Sequence, residues 1–168
     1  MNAAKDLNPL PSWGSDLGLI DLRGPSPVDS NDPTANRILA VETLYRYGWA
    51  YDERNYDVLA ACFTEDTVFL GNVGGTAQIG PFNGRKAFLE WLTAFWGEQR
   101  DQRRHIVLNP VVDDLTDSTV SVSSLMLLTS TENATFKATT AGFYRTTMRK
   151  EEDIWRIATF TAGFDAPF

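Results

Sequence analysis

Arg103-Arg104-His105-Ile106-Val107-Leu108-Asn109-Pro110 is where the chain changes its hydrophobic period. Before this stretch apolar residues recur at helical spacings; from it onward they alternate. The alternation predicts strands over His105–Asp113, Thr119–Ser130, Phe136–Arg149 and Trp155–Phe164. The breaks between them are short, so the strands should be sequential antiparallel hairpins. Upstream, Asp32-Pro33 reads as an N-cap followed by proline at the first helical position, opening a helix to about Asp52. A short helix fits Tyr56–Phe63, a strand Thr67–Leu70, and a third helix Arg85 to Gly97. The glycine-studded Gly71–Gly84 is a loop or hairpin. Helices first and a meander afterwards define an α+β fold, three N-terminal helices on one face of a curved, mostly antiparallel sheet. Residues 1–31 read as an irregular arm, partly docked on the body or on a partner subunit, and 32–168 as a single domain. The arm's apolar residues, Leu10, Trp13, Leu17, Leu19, Ile20 and Leu22, keep no period.

The net charge of −7 argues against nucleic acid or an anionic membrane as partner, since both need a basic footprint. No apolar run approaches a membrane span, and no secretory signal is visible, so the expected compartment is the cytoplasm. One cysteine, Cys62, and one histidine make neither a disulfide framework nor a structural zinc site, so no metal and no cofactor are expected.

His105 is that single histidine. Imidazole suits proton transfer in both directions near neutral pH, so any histidine acid–base chemistry must use it. A lone histidine on a strand is equally a structural, hydrogen-bonded residue. In the first helix Ile38, Val41, Tyr45, Gly48 and Asp52 follow at spacings of three and four. A carboxylate on such a stripe needs a partner, unless the helix has already ended and Asp52 is solvated. Gly48 would leave room for a ligand, or serve a close helix–sheet crossing. Alternation puts Arg103, His105, Val107, Asn109 and Val111 on one strand face. If that face looks toward the helix, Asp52 can fix the imidazole tautomer and Asn109 can orient a substrate oxygen. Tyr47 and Tyr51 could supply hydrogen bonds to a developing oxyanion. Trp49, Phe69, Phe88 and Trp91 are aromatic candidates for a pocket wall, and Arg145 is either a pocket charge or an exposed one.

Three stretches carry a resemblance. They are Leu44-Tyr45-Arg46-Tyr47-Gly48-Trp49-Ala50-Tyr51-Asp52, Leu59 to Phe69, and Arg104 to Pro110. With the Gly84-Arg85 helix start, Ala141–Tyr144 and the closing Ile154-Trp155-Arg156-Ile157, they make residues 35–164 resemble the SnoaL-like group of the nuclear transport factor 2-like superfamily. The resemblance implies a cone-like fold enclosing a pocket. Within the group the chain is similar to scytalone dehydratase and hexachlorocyclohexane dehydrochlorinase, which are cofactor-free lyases. Asp52 and His105 match their shared Asp–His pair, and Tyr51 matches a tyrosine of the dehydratase. The dehydratase's second histidine has no counterpart, and the dehydrochlorinase's lysine falls at Tyr47. The implied activity is a cofactor-independent lyase on a small hydrophobic or aromatic molecule, losing water, halide or a fragment such as formaldehyde. Catalysis would use His105, Asp52 and Tyr51. An isomerase or cyclase would use the same pair, and the superfamily also holds non-catalytic binding or assembly modules. Apolar residues on both sheet faces, as in Leu125-Met126-Leu127-Leu128, predict a homo-oligomer, dimer or trimer. The Gly163–Phe168 segment should close over the pocket or lie on a neighbouring subunit.

Overall fold

The computed structural model describes residues 9–15, 21–28 and 32–168. Helix α1 runs Pro33–Asp52, opened by Asp32, whose carboxylate accepts from the Thr34 N–H at 2.9 Å. Asn55 caps α2, Tyr56–Ala61, in the same way. Gly84, at φ 89°, makes the turn into α3, Arg85–Ala94, a backbone angle that favours glycine. Six strands follow the order β2-β1-β6-β5-β4-β3: β1 Phe63–Val73, β2 Ala77–Asn83, β3 Gln102–Asp113, β4 Thr119–Glu132, β5 Thr135–Glu151 and β6 Ile154–Phe164. The last four form the expected meander. Asn133-Ala134 and Glu152-Asp153 turn its hairpins, all four at positive φ. That geometry matches the right-handed twist of the flanking strands. Residues 63–73 form one long strand rather than a short helix end plus a four-residue strand. It pairs antiparallel with β2 and parallel with β6. Gly71–Gly84 is thus the β1–β2 hairpin.

Irregularities in the ladders at Leu108/Val111, Leu128/Thr129 and Thr147/Met148 curve the sheet around the helices. The concave side packs Leu44, Tyr47 and Ala50 of α1 and Phe88 and Leu89 of α3 against Met126, Leu128, Met148, Ile157 and Phe160.

The buried face of α1 differs from the expected stripe. Ile38 and Tyr45 are exposed, whereas Asn36, Ala40, Thr43, Leu44, Tyr47, Gly48, Tyr51 and Asp52 are buried. The inward face is turned by about one residue because two of its members are polar and satisfied. Trp155 Nε1 donates to Asn36 Oδ1 at 3.0 Å, and Thr43 Oγ1 donates to the Trp155 carbonyl at 2.9 Å. Gly48 and Asp52 stay on the margin that faces β3. Of the arm, Val28 is buried and Leu22 packs against the core, while Leu17, Leu19 and Ile20 lie outside the described residues.

Candidate active site

β3 is an edge strand, so alternate backbone N–H groups point away from β4. One of them, that of His105, donates to Asp52 Oδ2 at 2.8 Å. The ring Nδ1 of the same residue lies 2.6 Å from Asp52 Oδ1. An ionised carboxylate only accepts, so in a neutral ring this contact calls for the proton on Nδ1 and the lone pair on Nε2. Both side chains are nearly buried, His105 at 9% and Asp52 at 4%. Gly48 supports this approach. A Cβ there would stand 3.1 Å from the His105 carbonyl oxygen and 3.2 Å from its Cβ. The glycine therefore serves the helix–strand crossing rather than a ligand space.

Nε2 has no hydrogen-bond partner among the described residues, and the ring lies against a cavity. Tyr51 meets it edge-on at 4.9 Å between centroids, and Tyr47 at 6.1 Å. Phe69, Trp91, Arg103 and Tyr144 add further wall, and Phe164 and Phe168 lie at the rim. The Tyr51 hydroxyl accepts from Gln99 Nε2 at 2.9 Å, leaving its own proton for the cavity. Burial raises the pKa of Tyr47, Tyr51 and Tyr144 above the ordinary phenol value, and for Tyr47 the adjoining Tyr144 adds to the effect. All three remain proton donors. The cavity is narrow, about 30 Å³, close to the room one water occupies. A second space, about 360 Å³, is an open groove on the outer side of the α1–β3 crossing, lined by Tyr45, Trp49, Asp52, Arg104, His105, Ile106 and Val107. His105 borders both spaces and Asp52 the outer one, while the phenol rings that meet the imidazole, Tyr47 and Tyr51, line the inner cavity.

Behind the pair lies a second network. Glu53, buried beside Asp52, pairs with Arg104 and accepts from Ser12 Oγ at 2.7 Å. Ser12 belongs to the arm, and its neighbour Trp13 stacks under the Arg54 guanidinium at 3.3 Å. Arm, helix end and strand are thereby tied together next to Asp52 and His105.

The structure gathers His105, Tyr51, Tyr47, Phe69 and Trp91 at one cavity, holds Asp52 behind the imidazole, and separates four other candidates from it. Asn109 stands at φ 50° at the bulge before Pro110, which reverses the alternation and leaves it on the convex side with Val111 and Arg145. Arg145 lies there over the Phe143 ring at 5.0 Å. Trp49 lines the outer groove, 44% exposed, because the buried face of α1 is turned away from it. Phe88 lies one layer deeper, stacked on Phe69 at 4.4 Å. Sequence reasoning did not nominate Arg103, although alternation places it on the His105 face. Gln99 carries no local signal, whereas Phe164 and Phe168 line the cavity from the Gly163–Phe168 segment that the sequence offers as its cover. No group of three or more His, Cys, Asp or Glu side chains that could hold a metal ion occurs among the described residues. Nor is any described helix long and apolar enough to cross a membrane.

Helices over a curved sheet with a cavity at the crossing define the cone-like α+β class. The SnoaL-like domain family model matches residues 37–161, and the chain belongs to that family. Among solved structures, a protein of unknown function from Mycobacterium tuberculosis is 25% identical, with TM-score 0.65 over 80% of this chain and 76% of that one. A Catenulispora acidiphila protein in complex with S-DNPA is 23% identical, TM-score 0.68, over 79% and 95% of the two chains. The beta subunit of benzoate 1,2-dioxygenase from Burkholderia mallei has the same fold at 15% identity, TM-score 0.66, over 82% and 93%. No curated protein sequence matches the chain.

Proposed function

We propose that the protein is a cofactor-independent lyase that eliminates a small group from a hydrophobic, aromatic substrate, with His105 as the base and Asp52 as its partner. The observation that carries this reading is the two-point grip of Asp52 on one residue. It holds the backbone N–H and Nδ1 of His105 together, which leaves Nε2 as the basic atom at the cavity. In the elimination Nε2 takes a proton from carbon, and the C–H electron pair becomes the new double bond. The bond to the leaving group breaks with its own pair. A leaving hydroxide takes a proton from Tyr51 or from the imidazolium and departs as water. Asp52 stabilises the imidazolium while it lasts. Tyr47 and Tyr51 hold the oxygen that gains charge. An isomerisation or cyclisation would begin with the same proton transfer, and product analysis separates them.

An aromatic ring does not fit the cavity as it stands. Phe168 is the exposed residue of the wall: 41% exposed, its ring lies tilted against Phe164 at 4.4 Å. The preceding segment is anchored through the mutual hydrogen bonds of Ala166 and Thr140. Phe168 swings out to admit substrate and returns to exclude water. The test is turnover of a panel of aromatic alcohols and halides, both neutral and carboxylate-bearing, by the native protein and by His105→Ala, with and without chelator. Release of water or halide with a new double bond, lost in the variant and indifferent to chelator, is expected. Full activity in His105→Ala refutes the assignment, and metal-dependent activity refutes the cofactor-free chemistry.

A further inference from the structure

We infer that Arg103 is an anion-recognising residue of the cavity, and that the ligand it selects is an aromatic carboxylate. This rests on the reading of the His105 cavity as the substrate site. Arg103 and His105 stand two residues apart on β3 and line the same cavity. The Arg103 side chain is 21% exposed, and only its Nε has an acceptor, Asp101 Oδ2, at a long 3.3 Å. The four N–H groups on its two terminal nitrogens have no acceptor among the described residues. A guanidinium presents those donors as a planar fork that matches a carboxylate.

The neighbouring arginines are committed differently. Arg104 is held by Glu53, and Arg54 is stacked on Trp13 and donates to the Gln99 carbonyl at 2.8 Å. Asp52, the carboxylate behind the His105 ring, is occupied by both donors of His105. Arg103 is thus left to meet an incoming anion in a protein whose net charge of −7 repels anions elsewhere. Alternate residues on a strand are spaced by about 6.8 Å. An aromatic acid held by Arg103 therefore extends along the same strand face toward His105, with its ring beside Tyr51, Phe69 and Trp91. Neutral halocarbons and polycyclic alcohols lack the group this fork recognises.

The experiment is calorimetric titration with 2-naphthoate and with its neutral amide, 2-naphthamide. It uses the native protein, Arg103→Gln, Arg103→Lys and, as the control on the convex side, Arg145→Gln, each checked for native circular dichroism. The native protein should bind the carboxylate about tenfold or more tighter than the amide, the scale of one charge-assisted hydrogen-bonded pair. Arg103→Gln should abolish the preference, Arg103→Lys should retain part of it, and Arg145→Gln should keep it whole. A preference that survives Arg103→Gln overturns the inference. So does equal affinity for both ligands, or binding of neither at millimolar concentration. Because the readout is binding, an absence of turnover would count against the lyase reading alone.

Discussion

The N-terminal half of β3 and its C-terminal half share one alternating pattern but serve opposite sides of the sheet. From Arg103 to His105 the inward residues meet α1 and the cavity. After the irregularity at Leu108/Val111, Asn109 and Val111 lie on the convex side, beside Leu125 and Arg145. One extra residue separates the two environments. It follows that a strand's chemistry depends on where its register breaks as much as on its alternation.

The sharpest way to break the contrast is to remove one polar side chain from each half. His105→Ala should lower turnover by about 10²–10⁴-fold, the usual cost of losing a positioned base. Arg145→Ala on the convex side should leave it within about threefold. Steady-state rates on any substrate found by the panel decide this, and equal losses would erase the distinction. Asp52→Asn keeps the shape but replaces an acceptor oxygen with a donor nitrogen. It should cut kcat by about 10²-fold or more with little change in KM. Urea denaturation should show a loss of about 1.5–3 kcal/mol from the charge-assisted hydrogen bonds.

Gly48→Ala probes the crossing itself. The new methyl would press on the His105 carbonyl and Cβ at 3.1 and 3.2 Å, moving β3 by a few tenths of an ångström. Turnover should fall about tenfold while stability changes by less than about 1 kcal/mol, since alanine also favours the helix. On the convex side, Ile106, Leu108, Val111 and Leu125 are each between 39% and 55% exposed. Leu125→Lys should convert a homo-oligomer to monomer in sedimentation while sparing activity. A native monomer at micromolar concentration would remove the reason for that apolar surface.

The smallest expected effect is on alkaline stability. The folded state holds the protons of Tyr47, Tyr51 and Tyr144 more tightly than the ordinary phenol value of 10.0. Their contribution is therefore fully present below about pH 10 and is lost as pH rises beyond it, where unfolded chains release those protons. Cys62, its thiol pushed up to about 12 by burial, acts in the same direction from its ordinary 9.0. Tyr144→Phe should flatten the fall in the urea midpoint between about pH 9 and 11. An unchanged slope would mean that the phenol is not held in the apolar interior.

Much of this architecture is legible in local sequence because local signals specify it. Asp32-Pro33, Asn55 and Gly84 set helix starts, and alternation with short breaks between strands sets the meander. The parallel pairing of β1 with β6 is not legible, since no turn links Phe63 to Ile157. Asp52 and His105 could be brought together from pattern and resemblance. The α1 stripe was misplaced by a residue because Asn36 and Thr43 are buried polar groups whose partners on Trp155 are remote in sequence. Asn109 was misplaced because strict alternation was carried through Asn109-Pro110. An asparagine tolerant of positive φ before a proline without an N–H was a readable sign of the break.

The single histidine makes the central claim directly measurable. Nitrogen-15 NMR of the imidazole reports which ring nitrogen carries the proton, with no other histidine to confuse the assignment. The neutral form is predicted to be protonated on Nδ1, with a slowly exchanging, downfield Nδ1–H signal that disappears in Asp52→Asn. A ring protonated on Nε2, or a signal indifferent to Asp52→Asn, would contradict the pairing on which the proposed chemistry rests.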